Sequence, residues 1–232
     1  MSIILNTALN DASLPLSGSL VEQIKAIPSL KNWHRTSASI MAPANPTNGT
    51  LMDTLGDLAG KDGVFGIYQD ANKPKFAQGQ LNGQDGLQFD GTSDFLAQFG
   101  TSWTLANPFT MVVLYRADPS VNSLQVPLGA YDSNAVVTGV LQNGDAISMR
   151  HGSADLGVAM ARGTNVLAFL SSDTVNIRGR VNGVDYGPVA TNNAVPATAP
   201  RIGALDNGTF GLLKGYVFEV LFFTENLLIK DR

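Results

Sequence analysis

The feature that most constrains the fold of this chain is a series of Asn-Gly and Asp-Gly dipeptides set between short apolar runs. These dipeptides are Asn82-Gly83, Asp85-Gly86, Asp90-Gly91, Asn143-Gly144, Asn182-Gly183 and Asn207-Gly208. Such pairs supply the positive φ angles that two-residue hairpin turns require, so their density predicts antiparallel strands joined by hairpins. We therefore expect an all-β fold, built as a two-sheet antiparallel sandwich or jelly roll.

The apolar runs between these turns place the strands. Candidate strands lie at residues 86–90, 95–99, 109–116, 125–131, 135–142, 146–151, 156–160, 165–171, 175–181, 201–204 and 215–223. Apolar and polar residues alternate most regularly at residues 175–181, which predicts one buried face and one solvated face carrying Asn176, Arg178 and Arg180. Residues 109–115 and 216–223 are apolar on both faces, which is typical of central strands covered from two sides.

The N-terminal part of the chain has a different pattern. Leu20, Val21, Ile24 and Ile27 recur at helical spacing before Pro28, which predicts a short amphipathic helix. Residues 32–75 contain many Pro, Gly and Asn residues and few apolar runs, so we expect them to be mostly loop. The chain is accordingly divided into an N-terminal arm with a short helix, residues 1–32, and a jelly-roll domain, residues 33–232.

Composition removes several classes of function. The chain has no cysteine, which excludes disulfides, thiolate nucleophiles and Cys-based metal sites. A net charge of -4 has the wrong sign for binding nucleic acid through counterion release. No apolar run reaches the roughly 20 residues of a membrane-spanning helix, and the first residues lack the basic segment of a secretory signal. We expect a protein made in the cytoplasm, with no nucleic-acid partner and no membrane insertion.

Four segments occur in an order typical of one family: LQFDGTSDFL at residues 87–96, FTMVVLYRA at Phe109–Ala117, NIRGRVNGVDYG at residues 176–187 and RIGALDNGTFGLLKGYVFEVLFFTENL at residues 201–227. Their order and spacing resemble concanavalin A-like jelly rolls of the laminin G-like type. LKNW at residues 30–33 and KPKFAQGQLNGQDGLQFDG at residues 73–91 are similar to a variant found in bacteriophage structural proteins and some bacterial surface proteins. That variant often has Asp-Ala-Ser after the tryptophan, whereas His34 follows Trp33 here.

The resemblance implies a lectin-like binding or structural module of a phage virion, tail-associated or a head decoration protein. Its partners would be glycans, including host-surface polysaccharides, or other virion proteins, and a homo-oligomer is compatible with either. A bacterial surface carbohydrate-binding protein is the alternative, and a glycan hydrolase is a weaker one. No cofactor is expected. Calcium, which some laminin G-like proteins bind, is the one exception to test.

Catalytic residues are not evident in the sequence. Hydrolytic relatives of the fold use clustered carboxylates about 5 Å apart, and no such cluster is present. Glu219 lies on a predicted core strand, where we expect a nearby donor to satisfy it. Asp90 and Asp94 fall in a turn, where Asp favours local backbone hydrogen bonds. His34 and His151 are near no nucleophile elbow and are expected at or near the surface. The sequence therefore predicts a protein without enzymatic activity.

The candidate ligand contacts are aromatic and polar side chains. Trp33, Trp103 and Tyr131 are the aromatic side chains best placed to lie near loops, where aromatic faces can stack on sugar rings, but core packing is the favoured interpretation for each. Of these, Trp103 and Tyr131 are kept as candidate contacts. Asn176, Arg178 and Arg180 complete the set, because they suit hydrogen bonding to a glycan or an acidic partner, with a merely solvated strand face as the alternative.

Overall fold

The computed structural model describes residues 18–36, 41–61, 63–67, 69–99, 104–131, 137–191, 197–206 and 209–228. Its elements are α1 (Gly18–Lys25), β1 (Leu30–Arg35), β2 (Met41–Ala42), β3 (Thr54–Leu55), β4 (Val64–Gly66), a 3-10 turn (Asp70–Asn72), β5 (Lys75–Leu81), β6 (Gln84–Asp90), β7 (Leu96–Phe99), β8 (Thr104–Leu105), β9 (Phe109–Ala117), β10 (Leu124–Tyr131), β11 (Val137–Asn143), β12 (Ala146–His151), β13 (Ala154–Ala159), β14 (Val166–Ser172), β15 (Asn176–Val181), β16 (Val184–Ala190), β17 (Ala197–Thr198), β18 (Arg201–Ile202) and β19 (Lys214–Phe223). The prediction of an all-β chain with one short helix is confirmed.

Within the described residues, the strands form two large antiparallel sheets. The eight-stranded sheet has the order β16-β15-β14-β9-β19-β6-β5, and β1 pairs with β19 beside β6. The nine-stranded sheet has the order β13-β12-β11-β10-β18-β7-β4-β3-β2, and β8 pairs separately with β17. The two sheets pack face to face as a sandwich, which agrees with the predicted jelly-roll architecture.

The hairpin turns follow the predicted chemistry at most of the dipeptides. Asn82-Gly83 and Asn182-Gly183 have positive φ at both residues, which is the backbone of a type I′ turn. Asp85-Gly86 is different, because it lies inside β6 and forms no turn. Gly86 is needed there for space, since a Cβ atom on it would lie 2.8 Å from the Phe218 ring. Asn207-Gly208 lies outside the described residues.

The main core lies between the two sheets. Alternate side chains of β9 point into it, including Phe109, Met111, Val113 and Tyr115, and all four are fully buried. Leu170 of β14 belongs to the same cluster, as do residues of β10, β11 and β12 in the facing sheet. At about 25 cal/mol per Å² of apolar surface removed from water, burial of this layer is the main source of stability.

A second apolar cluster covers the outer face of the eight-stranded sheet. It contains Val112 and Leu114 of β9, which point away from the main core, together with Trp33 of β1 and Ile24 of α1. β9 is therefore buried on both faces, as its continuous apolar sequence predicted. The helix lies over this sheet with Ile24 buried, and β1 begins at Leu30, before the domain boundary expected at residue 33.

Residues 32–75 contain more regular structure than their composition predicted. Strand β1 continues to residue 35, and β2, β3 and β4 each pair over only two or three residues. Strands this short carry no readable period, because two residues cannot show alternation. The edge strand β16 was also missed, since Gly187 and Pro188 interrupt its pattern.

Candidate ligand-binding faces

The predicted polar strip lies on β15. Asn176, Arg178 and Arg180 alternate with buried residues and share the outer face of the eight-stranded sheet, which confirms the expected alternation. Arg180 forms a two-point ion pair with Asp185 of β16, with its Nε 2.5 Å from one carboxylate oxygen and its Nη2 3.0 Å from the other. The Nε atom of Arg178 is buried without a hydrogen-bond partner among the described residues. A ligand role for this strip stays a prediction.

The two candidate aromatic contacts are not placed with that strip. Trp103 lies outside the described residues. Tyr131 is the last residue of β10, in the nine-stranded sheet, and its side chain is outside the description as well. The structure thus brings together three of the five candidate residues, all of them on β15.

Trp33 and Glu219 form a structural pair. Trp33 is fully buried, and its indole N–H donates to a carboxylate oxygen of Glu219 on the neighbouring strand β19. Burial raises the pKa of Glu219, while the charge of Arg35 and the indole hydrogen bond act in the opposite direction. The expectation that Glu219 is satisfied by a nearby donor is confirmed, and Trp33 is a core residue.

His34 is fully buried, and the expectation of a surface position is wrong. Its ring lies 4.7 Å from the Phe65 ring in an edge-to-face arrangement, and its Nδ1 is 3.2 Å from the carbonyl oxygen of Gly56. Burial lowers the pKa of His34 to about 4, although the charge of Asp57 acts to raise it. The side chain is therefore neutral at pH 7 and belongs to the core.

His151 is also fully buried, at the end of β12. Its Nδ1 lies 2.9 Å from Thr138 Oγ1, its Nε2 lies 3.3 Å from Asn107 Nδ2, and its ring packs edge-on against Phe109. Burial lowers the pKa of His151 to about 4. Both histidines were misjudged because a polar residue at an inward position of a strand is visible only once the register is known.

Asp90 and Asp94 are two carboxylates within one turn. Asp90 Oδ1 accepts from the backbone N–H groups of Thr92, Ser93 and Asp94, and the Asp90 N–H donates to Asp94 Oδ2. Burial acts to raise the pKa of Asp90, but these hydrogen bonds outweigh it and hold the pKa well below its usual range. Burial and the charge of Asp90 raise the pKa of Asp94 to about 6. The predicted local backbone bonding is confirmed.

Other aspartates are used in the same way. Asp57 accepts from the backbone N–H groups of Trp33, Ala59 and Lys61, so it fixes the chain after β3 to the start of the domain. Asp173 accepts from the N–H groups of two residues before and within β15. Carboxylates that accept several backbone donors stabilise turns and are poorly placed to act on a substrate.

A different row of side chains is formed by the order of the eight-stranded sheet. Lys75 of β5 lies opposite Gln88 of β6, Gln88 lies opposite Tyr216 of β19, and Tyr216 lies opposite Arg116 of β9. The neighbours of these residues along each strand point into the main core, so the four side chains share the outer face. Lys75 and Gln88 are exposed, and Tyr216 and Arg116 are partly exposed.

The geometry around Arg116 is well defined. Its guanidinium carbon lies 4.7 Å from the centre of the Tyr216 ring and 6.0 Å from that of Phe218, and the two rings are stacked at 14°. Its Nη1 and Nη2 donate to the backbone and side-chain oxygens of Gln80, at 3.2 and 3.4 Å. The cation is therefore held on an aromatic surface in a fixed orientation.

The row was not predicted from the sequence, because its members are far apart in the chain and none of them belongs to a recognisable motif. The segment containing Tyr216 was interpreted as apolar on both faces, which is correct from Val217 onward but not at Tyr216. The available signal was the alternation of Tyr216 with Gly215 and Val217, which places its ring outward. Only the strand order shows that polar side chains stand on both sides of it.

The described residues contain no group of three or more His, Asp or Glu side chains placed to hold a metal ion. The expectation about calcium therefore stays untested. No helix in the same part of the chain combines the length and apolar character needed to cross a membrane.

Comparisons with known proteins extend only to the fold. No family model and no curated protein matches the chain. Trypanosoma rangeli sialidase in complex with sialic acid matches over 86% of this chain, with a TM-score of 0.60 and 14% sequence identity. This chain spans only 31% of that sialidase, and about the same share of the related sialidase structures. Domain 4 of an extracellular arabinanase from Geobacillus stearothermophilus, in complex with arabinotriose, matches over 86% of this chain and 94% of its own length, with a TM-score of 0.58 and 15% identity.

Proposed function

We propose that this chain is a carbohydrate-binding module without catalytic activity. The observation that carries the proposal is that the sandwich matches almost the whole of an arabinanase domain that holds arabinotriose, and does so over most of its own length. Because the match covers 94% of that arabinanase domain, the two share a fold over nearly the whole domain and not over a fragment of it. The outer face of the eight-stranded sheet supplies polar and aromatic side chains suited to sugar hydroxyls and ring faces.

The absence of activity is the second part of the proposal. It is supported by the backbone hydrogen bonds that Asp57, Asp90 and Asp173 accept. The hydrogen bond that the Trp33 indole donates to Glu219 supports it as well. Most glycoside hydrolases use a carboxylic acid and a second carboxylate facing the same sugar. The sialidase likeness covers less than a third of that enzyme, so it supports the shared fold and not the shared reaction.

A binding array tests the proposal directly. The purified, folded chain is applied to immobilised oligo- and polysaccharides, neutral and acidic, including arabinan, sialylated glycans and bacterial surface polysaccharides. Reproducible binding with a Kd below about 1 mM supports the proposal, because weak single-site affinities of modules fall in that range. Arg178→Ala and Trp103→Ala variants show whether the residues first predicted are contacts. A blank array from a folded, monodisperse sample overturns the proposal.

The second candidate is an architectural protein of a phage virion, and it comes from the resemblance of residues 30–33 and 73–91 to the variant found in bacteriophage structural proteins. Tail-associated or head-decoration roles, virion-protein partners and a virion location all stay predictions on this basis. A blank array would favour this candidate, and co-purification with assembled particles would then be the measurement to make.

A further inference from the structure

The row Lys75, Gln88, Tyr216 and Arg116 contains two cations that are not paired with a carboxylate of the described residues. Among the described residues, cations that pair with a carboxylate are Lys25, Lys73, Arg150, Arg162, Arg180 and Lys214. Neither Lys75 nor Arg116 forms such a pair with any described residue. Arg116 donates only to the uncharged oxygens of Gln80, so its charge is not neutralised by a carboxylate.

The acidic groups near the row are already engaged. Asp90 accepts three backbone donors of its own turn, and Asp118 lies 3.7 Å from Lys214 Nζ. Asp94, which faces Lys75 at longer range, has its pKa raised to about 6 by burial and by the charge of Asp90. Lys75 and Arg116 are therefore the groups of the row that can form a new pair with an acidic ligand.

The shape of the row suits an extended ligand. Its four residues lie on four adjacent strands, so the row is about 14 Å long at roughly 4.8 Å between strands. Tyr216 lies near the middle, with the Arg116 guanidinium carbon 4.7 Å from its ring centre, Gln88 beside it offers an amide, and Lys75 lies at one end. Amide and guanidinium groups bind the oxygens of a sugar and of its acidic groups.

The geometry points to this row as a binding face for an acidic saccharide, with a carboxylate or sulfate group of the ligand paired with Arg116. The ring of Tyr216 supports the guanidinium that pairs with the ligand, and Lys75 contacts a second acidic group of the ligand. Gln80 is a positioning residue, because it orients the guanidinium from the β5–β6 hairpin. This inference rests on the proposed function and assigns it a face and a ligand class.

The strip on β15 is less suited to the same ligand. Asp185 already pairs with Arg180, so an acidic ligand would have to displace a carboxylate there. The two surfaces lie at different ends of the sheet, since Arg178 is level with Thr110 of β9 and Arg116 is six residues further along that strand. Variants can therefore separate them.

The test uses pairs of ligands that share one saccharide backbone and differ in charge. Trigalacturonic acid and its fully methyl-esterified form are titrated into the whole chain by calorimetry at low salt, with dextran sulfate and dextran as a second pair. We expect the acid to bind at least about tenfold more tightly than the ester, because charge-assisted hydrogen bonds are lost on esterification. Arg116→Gln and Tyr216→Ala should each weaken binding of the acid by about tenfold or more, and Lys75→Gln by a smaller factor.

The matched control is Arg150→Gln, which removes one positive charge from the outer face of the other sheet. It should leave affinity within about twofold. Arg116→Lys keeps the charge without the planar fork, so it should recover only part of the binding. Arg178→Gln should behave like the control.

Three results would overturn the inference. Equal binding of acid and ester would exclude the ligand class, and unchanged affinity in folded Arg116→Gln and Tyr216→Ala variants would exclude the face. Loss of binding in Arg178→Gln alone would move the site to β15. In each of these cases, binding of neutral glycans on the array would still support the proposed carbohydrate-binding function. A blank array would contradict both that function and the acidic-saccharide site.

Discussion

At the scale of single residues, the buried His151 links the stability of the fold to pH. Its pKa is lowered from 6.5 to about 4, so below pH 6.5 the unfolded chain takes up a proton more readily than the folded one. The free energy of unfolding therefore falls between pH 6.5 and 4, by up to about 3 kcal/mol for this residue. His34 acts in the same direction. Asp94 acts against both, because its raised pKa makes the folded state take up a proton first.

The measurement is the urea midpoint at pH 7.5 and pH 5. His151→Gln keeps a donor and an acceptor near Thr138 and Asn107 but does not titrate, so it should lose less stability than the natural protein on acidification. Asp94→Asn should lose more, because the opposing contribution is removed. Identical losses in the natural protein and His151→Gln would show that His151 does not contribute.

Glu219 provides a second residue-level prediction. Glu219→Ala should lower the free energy of unfolding by about 2 kcal/mol, because the indole N–H of Trp33 is left buried without its acceptor. Glu219→Gln keeps an acceptor and removes a charge whose burial is unfavourable, so its cost at pH 7 should be below about 1 kcal/mol. Urea unfolding of both variants decides the matter. If the two cost the same, the charge of Arg35 and not the indole determines the role of Glu219.

At the scale of elements, the spacing between β10 and β11 depends on Gly139. A Cβ atom there would lie 2.4 Å from the carbonyl oxygen of Leu128 and 2.8 Å from the Cα atom of Gly129. Gly139→Ala should therefore force the two strands apart and cost about 2 kcal/mol or more. The measurement is again the free energy of unfolding in urea.

Gly157 of β13 is the matched control for this prediction. A Cβ atom at Gly157 meets nothing within 4 Å. Gly157→Ala should be neutral or should stabilise by up to about 1 kcal/mol, because alanine lowers the entropy of the unfolded chain. A Gly139→Ala variant as stable as Gly157→Ala would mean that the strands can adjust without cost.

At the scale of the whole molecule, the prediction is binding without turnover. Arabinan, sialyllactose and trigalacturonic acid, incubated overnight with the chain at a stoichiometric concentration, should be recovered intact by chromatography. The physical reason is that Asp90, Asp173 and Glu219 accept backbone or indole hydrogen bonds instead of facing a common ligand. Product formation that disappears in Asp94→Asn would contradict the prediction and identify the turn carboxyl as an acid.

The sequence by itself determined the class of the fold. Asn82-Gly83 and Asn182-Gly183 require positive φ, and an alternating run such as β15 or a doubly apolar one such as β9 needs a sheet around it. These are local signals, because turn geometry and strand period depend only on neighbouring residues. The turn role of Asp90 was predictable for the same reason, and the satisfied Glu219 was predictable because buried polar groups are generally hydrogen-bonded.

Only the tertiary structure decided which side chains meet. The inward positions of His34 and His151, and the row from Lys75 to Arg116, depend on strand order and register across segments up to 186 residues apart, as between His34 and its partner Val220. Neither strand order nor register changes the periodicity of the sequence, because a strand alternates with a period of two residues whichever strand lies beside it. The sequence therefore determined the sandwich, and the order of its strands placed the surface on which the proposed ligand binds.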